Sequence, residues 1–237
     1  MKRCFFLALL FFLTSGCGGD SSSSFIYEED DSDTLTLTTQ TELIVEDTNG
    51  NIVITGSDTT DALTCSISKK VTSKISDSDA QSHISDITVT VDNNAGNIRY
   101  EVAHPTSDSR SYEVNFDIVV PNNFNYVITL VNGNITLQSV TTSVDINLLN
   151  GTVNSDLILN DNCAVSIAVG DGDIDLTLPD TTNANLTASV VNGTINNAGL
   201  TFTNQQVSST QFIGTLGTGD GSIVLSVGNG QIEMYKK

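Results

Sequence analysis

One short phrase recurs along this chain: Asn or Asp, then Gly, then a polar residue, then Ile or Val. It occurs at Asn49-Gly50-Asn51-Ile52, Asn132-Gly133-Asn134-Ile135, Asn150-Gly151-Thr152-Val153, Asp171-Gly172-Asp173-Ile174, Asn192-Gly193-Thr194-Ile195, Asp220-Gly221-Ser222-Ile223 and Asn229-Gly230-Gln231-Ile232. Glycine reaches positive φ freely, and Asn or Asp do so more readily than other residues, so each pair marks a corner or turn between extended segments. Replacing Gly133 by Val is expected to cost roughly 1 to 2 kcal/mol from the left-handed backbone alone.

The residues leading into each pair fix a register. Seven, five and three positions before the Gly stand Tyr126, Ile128 and Leu130; Val144, Ile146 and Leu148; Val165, Ile167 and Val169; and Leu186, Ala188 and Val190. Period-two alternation is the mark of a half-buried strand, so these residues share one face, joined by the apolar residue two after each Gly. Ala95-Gly96-Asn97-Ile98 keeps the same register in a weaker copy. From Gly133 the copies return at about twenty residues, the length of one solenoid coil or of two strands in a meander. The near-constant period favours an all-β parallel β-helix, a β-solenoid with Asn/Asp-Gly corners, in which each copy stacks on the last. Ile135, Val153, Ile174 and Ile195 then form one inner column, and Phe202 to Phe212 an irregular excursion. The last coil leaves an edge for Lys236 and Lys237 to guard. Ser76 to Ser85 is the one helix candidate, capped by Ser76 or Ser78.

The N-terminus carries a different signal. Met1-Lys2-Arg3, an apolar run from Cys4 to Leu13, and Thr14-Ser15-Gly16-Cys17 read as a secretory signal over 1–16, too short to span a bilayer. Leu13 to Cys17 resembles a bacterial lipobox, although Thr14 stands where Leu is commonest. That resemblance implies lipidation at Cys17, attachment to the membrane through the acyl chains, and placement in the cell envelope, at the outer membrane or cell surface. Residues 17–33, rich in Gly, Ser, Asp and Glu, are expected to be a flexible acidic tether, and 34–237 a single domain. The formal charge of −19 argues against nucleic acid as a partner. Export would permit oxidation of Cys65 and Cys163, but their wide separation in a repeat architecture does not favour a disulfide.

The sequence of features is similar to a bacterial adhesin-like family of β-strand-repeat proteins, a domain family of unknown function. The resemblance rests on Asn49-Gly50-Asn51-Ile52-Val53-Ile54-Thr55-Gly56, the Ser76 to Ser85 segment, Asp117-Ile118-Val119-Val120-Pro121, and the repeats that follow. It implies an exported parallel β-helix and brings no catalytic motif.

Little in the residues points to catalysis. No Gly-x-Ser-x-Gly elbow, phosphate loop or dinucleotide fingerprint is present, and His83 and His104 stand apart from each other and from the cysteines. Gly170-Asp171-Gly172-Asp173-Ile174-Asp175 resembles the opening of a calcium loop, but no Glu follows at the twelfth position. With Ile174 inward, Asp173 and Asp175 face outward beside Asn154 and Asn196 of neighbouring coils. This polar face is a candidate for sugar hydroxyls or calcium, although such a row is more often simply a solvated surface. The chain therefore reads as a non-catalytic envelope lipoprotein, an adhesin-like scaffold meeting a glycan or an envelope protein. A polysaccharide lyase or hydrolase using Asp173 and Asp175, or an envelope-stress sensor or assembly partner, are the alternative readings.

Overall fold

The computed structural model describes residues 24–106 and 109–237. The expected signal segment 1–16 and Cys17, the expected lipidation site, lie outside the described residues. In chain order the elements are β1 (Phe25–Thr36), β2 (Glu42–Asn49), β3 (Ile52–Ser57), β4 (Ala62–Ser73), α1 (Asp77–Ser82), β5 (Thr88–Asn93), β6 (Asn97–Ala103) and β7 (Arg110–Pro121). They continue with β8 (Asn125–Val140), β9 (Val144–Leu157), β10 (Ala164–Leu178), β11 (Ala184–Ala198), β12 (Thr203–Val207), β13 (Gln211–Leu216) and β14 (Gly221–Lys236).

The fourteen strands form one large, mixed and largely parallel sheet. Strands β8, β9, β10, β11 and β14 each run straight through an Asn/Asp-Gly pair, so the pair bends a continuous strand and does not reverse it. The bend lets both halves of a strand face one interior. All twelve residues at minus seven, minus five and minus three are buried, and so are Ile52, Ile135, Val153, Ile174 and Ile232 after the corner. Tyr100 of β6 and Phe116 of β7 meet edge to face across this interior, with ring centroids 5.8 Å apart. The first coil is split into β2 and β3, with β6 and β7 respectively beside them.

The corner glycines lie on one another. A Cβ added to Gly133 would lie 1.6 Å from the Gly50 carbonyl oxygen, and one on Gly151 would lie 1.7 Å from that of Gly133. The column continues through Gly172, Gly230 and Gly193 with comparable overlaps. These positions are therefore closed to any side chain by a neighbouring backbone as well as by their positive φ, a constraint stronger than the backbone cost that the sequence indicates.

Four expectations are corrected. First, the part of the expected tether from Phe25 to Asp33 is not a flexible segment: it belongs to β1, which pairs antiparallel with β4 from Phe25↔Ser73 to Thr36↔Ala62. The acidic residues tolerate an edge strand because most of them face water, while Tyr27 and Leu35 pack on the core. Second, Asp220-Gly221 is not a corner. It starts β14, whose bend is at Asn229-Gly230. Third, Phe202 to Phe212 is not an irregular loop but contributes β12 and the start of β13, which pair antiparallel and extend the sheet beyond β11.

Fourth, the stack does not follow chain order. Its sequence is β8, β9, β10, β14, β11, so the C-terminal strand lies between two strands that precede it. Ile174 pairs with Ile232, and Ile195 pairs with Ile232 from the other side. The order suits the residues four after each Gly, where the inner row is Ile54, Leu137, Ser155, Leu176, Met234 and Asn197. The row already holds one buried hydroxyl without a partner among the described residues, Ser155 Oγ, and a larger amide in its middle would add a second such group. At the end of the stack Asn197 is exposed, donating to the Leu200 carbonyl (2.9 Å) and accepting from the Leu200 amide (3.1 Å). Lys236 and Lys237 consequently guard no edge; they pair with Asp180 and Asp156. The helix candidate is present as α1, with Ser76 Oγ accepting from the Asp79 amide.

Candidate functional site

The corner phrase sets three outward rows. The first is Asn49, Asn132, Asn150, Asp171, Asn229 and Asn192. Its amides form a ladder of one polarity. Asn49 Nδ2 donates to the Tyr112 carbonyl (3.3 Å), Asn132 Nδ2 to Asn49 Oδ1 (2.7 Å), and Asn150 Nδ2 to Asn132 Oδ1 (2.8 Å). Beyond Asp171, Asn229 Nδ2 donates to Asp171 Oδ1 and Asn192 Nδ2 to Asn229 Oδ1 (2.8 Å). Asp171 can accept from Asn229, but its carboxylate has no N–H to offer Asn150 Oδ1. The acid interrupts the ladder where an asparagine would continue it.

The second row is Asn51, Asn134, Thr152, Asp173, Gln231 and Thr194. Here side-chain oxygens satisfy backbone amides of the next strand. Asn115 Oδ1 accepts from the Asn51 amide (2.8 Å), Asn51 Oδ1 from that of Asn134 (3.1 Å), Asn134 Oδ1 from that of Thr152 (3.2 Å), and Asp173 Oδ1 from that of Gln231 (2.8 Å). The polar residue in the repeated phrase thus holds adjoining strands at the bend, a structural task that its outward direction alone does not reveal.

The third row is Thr136, Asn154, Asp175, Glu233 and Asn196. Asn154 is beside Asp175 as expected, but Asn196 is not: Glu233 stands between them, because β14 does. Glu233 accepts from the Tyr235 hydroxyl, and Asn196 Nδ2 reaches its other oxygen at 3.5 Å. Burial first, then the neighbouring Glu233 and Asp173, pushes the Asp175 carboxyl above its ordinary range. The Glu233 carboxylate, by accepting the Tyr235 hydrogen bond, raises that phenol to about 12.

These rows make an open, gently stepped field of amides, hydroxyls and carboxylates. Two hollows among the described residues, of about 310 and 330 Å³, lie elsewhere and are lined by none of these residues. Among the described residues no three His, Cys, Asp or Glu side chains gather in a way that could hold a metal ion. His83 bonds the Asp79 carbonyl and His104 stacks on Tyr112 at 5.4 Å. Cys65 and Cys163 are free thiols, and burial pushes Cys65 up to about 12.

One functional group escapes the pattern-based reading. Asp47 is three positions before Gly50, paired with Leu130, in the inner row that other coils fill with Leu or Val. It is 4 % exposed, and its Oδ2 has no partner among the described residues. Its other oxygen accepts from the Thr48 and Asn49 amides at 2.6 and 3.4 Å. Burial outweighs those two bonds, and Glu113 adds to it, so the carboxyl is pushed up to about 7. Its signal in the sequence is a charged residue three before a corner Gly, where Leu130, Leu148, Val169, Val190 and Val227 stand in the other copies.

The family model described as Toastrack DUF4097 matches residues 13–234. No curated protein matches the chain. Among solved structures, a candidate cell adhesion protein from Clostridium sporogenes ATCC 15579 is 15% identical; the match covers 89% of this chain and 100% of that one with a TM-score of 0.53. A candidate adhesin from Bacteroides fragilis NCTC 9343 is 10% identical, with 86% and 96% coverage and a TM-score of 0.25. The first of these likenesses supports the fold.

Proposed function

The chain belongs to the Toastrack DUF4097 family, and from that premise we propose that it is a lipid-anchored, non-catalytic protein of the cell envelope whose outer corner field is an adhesin-like binding or structural surface. We read the bent stack as a β-solenoid with one inverted winding. The observation that carries the reading is the field itself: three aligned rows of amide, hydroxyl and carboxylate groups on rigid strands, spaced at about 4.8 Å by sheet pairing. Such a surface offers many weak polar contacts to an extended polar partner such as a glycan chain, or to a protein face, and no enclosed volume to a small substrate. Asp173 supports a backbone amide, and Asp175 stands between Asn154 and Glu233 on the outer face of the sheet, which does not favour the lyase or hydrolase reading. The acidic charge is consistent with a neutral or basic partner.

The test is binding by the purified domain to a broad glycan array, to whole cells and to envelope extracts, compared with Thr136→Lys, Asn154→Lys and Asn196→Lys. These positions are outside the core, so melting should stay within a degree or two while retention falls at least tenfold. Retention that survives all three changes, or the absence of any bound glycan, cell or envelope protein, would overturn the proposal. For the anchor, metabolic labelling with a radioactive fatty acid should mark the wild-type protein and not Cys17→Ser.

A further inference from the structure

The position of β14 between β10 and β11 sets the native stack at odds with the spacing of the repeats. Gly172 follows Gly151, and Gly193 follows Gly172, at the same interval, so β11 is spaced to stack directly on β10. In the native fold both strands instead pair with β14, in the same register that they would share with each other. Asp171 and Asn192 each align with Asn229, and Ile174 and Ile195 each align with Ile232. The two orders, β10-β11 and β10-β14-β11, therefore use the same pairing rules. They differ in what they bury. With β11 innermost, Asn197 would be aligned with Leu176; with β14 innermost, Met234 takes that place fully buried and Asn197 is freed to close the turn on Leu200. Ile223, Leu225, Val227 and Ile232 are buried with it.

We propose that β14 is an exchange strand: β11 first lies against β10 in the register that its spacing sets, and the C-terminal strand then takes that slot and moves β11 one place outward. During synthesis β10 and β11 both precede β14, and in refolding the shorter connection between β10 and β11 favours the same sequence of events. Completion of the stack waits for β14, which follows β11 in the chain, so a chain synthesised only as far as β11 holds an incomplete stack. This is a conformational device of the fold and stands apart from the reading of the outer field.

Two cysteine pairs in the full chain test it, with the four native cysteines replaced by serine: Asp175→Cys with Asn196→Cys, and Asp175→Cys with Glu233→Cys. Adjacent strands are about 4.8 Å apart and next-but-one strands about 10 Å. During refolding, pulses of a thiol cross-linker of one strand spacing should capture the 175–196 pair early. That yield should fall at least tenfold as the 175–233 yield rises, and Asn197→Leu should lengthen the early phase severalfold. A 175–196 yield that never exceeds its native level, or a 175–233 pair that forms as fast as β8 and β9 pair, overturns the proposal. If the cysteine variants do not fold, pulsed hydrogen exchange on the unaltered chain decides it. Amides of Ile232 to Met234 should gain protection at least tenfold later than those of β9, and simultaneous protection refutes the exchange.

Discussion

Asp47 gives the sharpest energetic prediction. Its carboxyl is pushed from the ordinary 3.8 up to about 7, chiefly by burial in an apolar row. In the unfolded chain it loses its proton near pH 4, whereas in the fold it keeps it until near pH 7. Ionisation in that interval stabilises only the unfolded chain, so the contribution of Asp47 to stability declines from about pH 4 to about pH 7 and is flat on either side. At about 1.4 kcal/mol per pH unit, three units set an upper limit of roughly 4 kcal/mol. Asp47→Asn keeps an oxygen for the Thr48 and Asn49 amides and cannot ionise. Its added NH2 brings a desolvation cost, but one that does not vary with pH. Urea unfolding of both proteins between pH 4 and pH 8 should therefore show the variant gaining on the wild type by 2 to 4 kcal/mol across that range (order of magnitude). A difference that is constant with pH would refute the assignment of Asp47 as a buried, protonated acid.

Further predictions concern the corner. Asp171→Asn should restore the amide ladder from Asn150 to Asn229 and stabilise the fold by about 1 kcal/mol, seen as a thermal midpoint a few degrees higher; a lower midpoint would contradict the ladder. Gly151→Ala places a Cβ 1.7 Å from the Gly133 carbonyl oxygen and should abolish folding, seen as loss of the cooperative melt. Gly96→Ala makes the useful contrast, since a Cβ there meets nothing within 4 Å at φ +112°, and only the backbone cost of about 1 to 2 kcal/mol should appear.

Much of the fold was legible because period two and a required glycine leave few options. The twelve inner residues, the bend at Gly133 and its repeats, and the cap of α1 at Ser76 all follow from local chemistry. What was not legible depended on comparing repeats position by position. Asn197 against Met234 decides which strand is interior, and the direct reading of spacing passes over it. Asp220-Gly221 has the right letters, but the inward residues Ile223, Leu225 and Val227 belong to the approach to Gly230. The acidic stretch after Phe25 looked too polar to order, yet an edge strand needs only one lightly apolar face, supplied by Tyr27 and Leu35. At the candidate field, Asn154 and Asp175 were placed together correctly. Glu233 was missed because it arrives from the far end of the chain.

The inverted winding is the central structural claim, and native-state hydrogen exchange tests it directly. A C-terminal strand ordinarily frays. Here the amides of Ile232, Glu233 and Met234 should be among the slowest to exchange, while those of Thr194 to Ala198, on the open edge, should exchange early. Fast exchange in β14 with slow exchange in that half of β11 would contradict the order β10-β14-β11 and would restore winding in chain order.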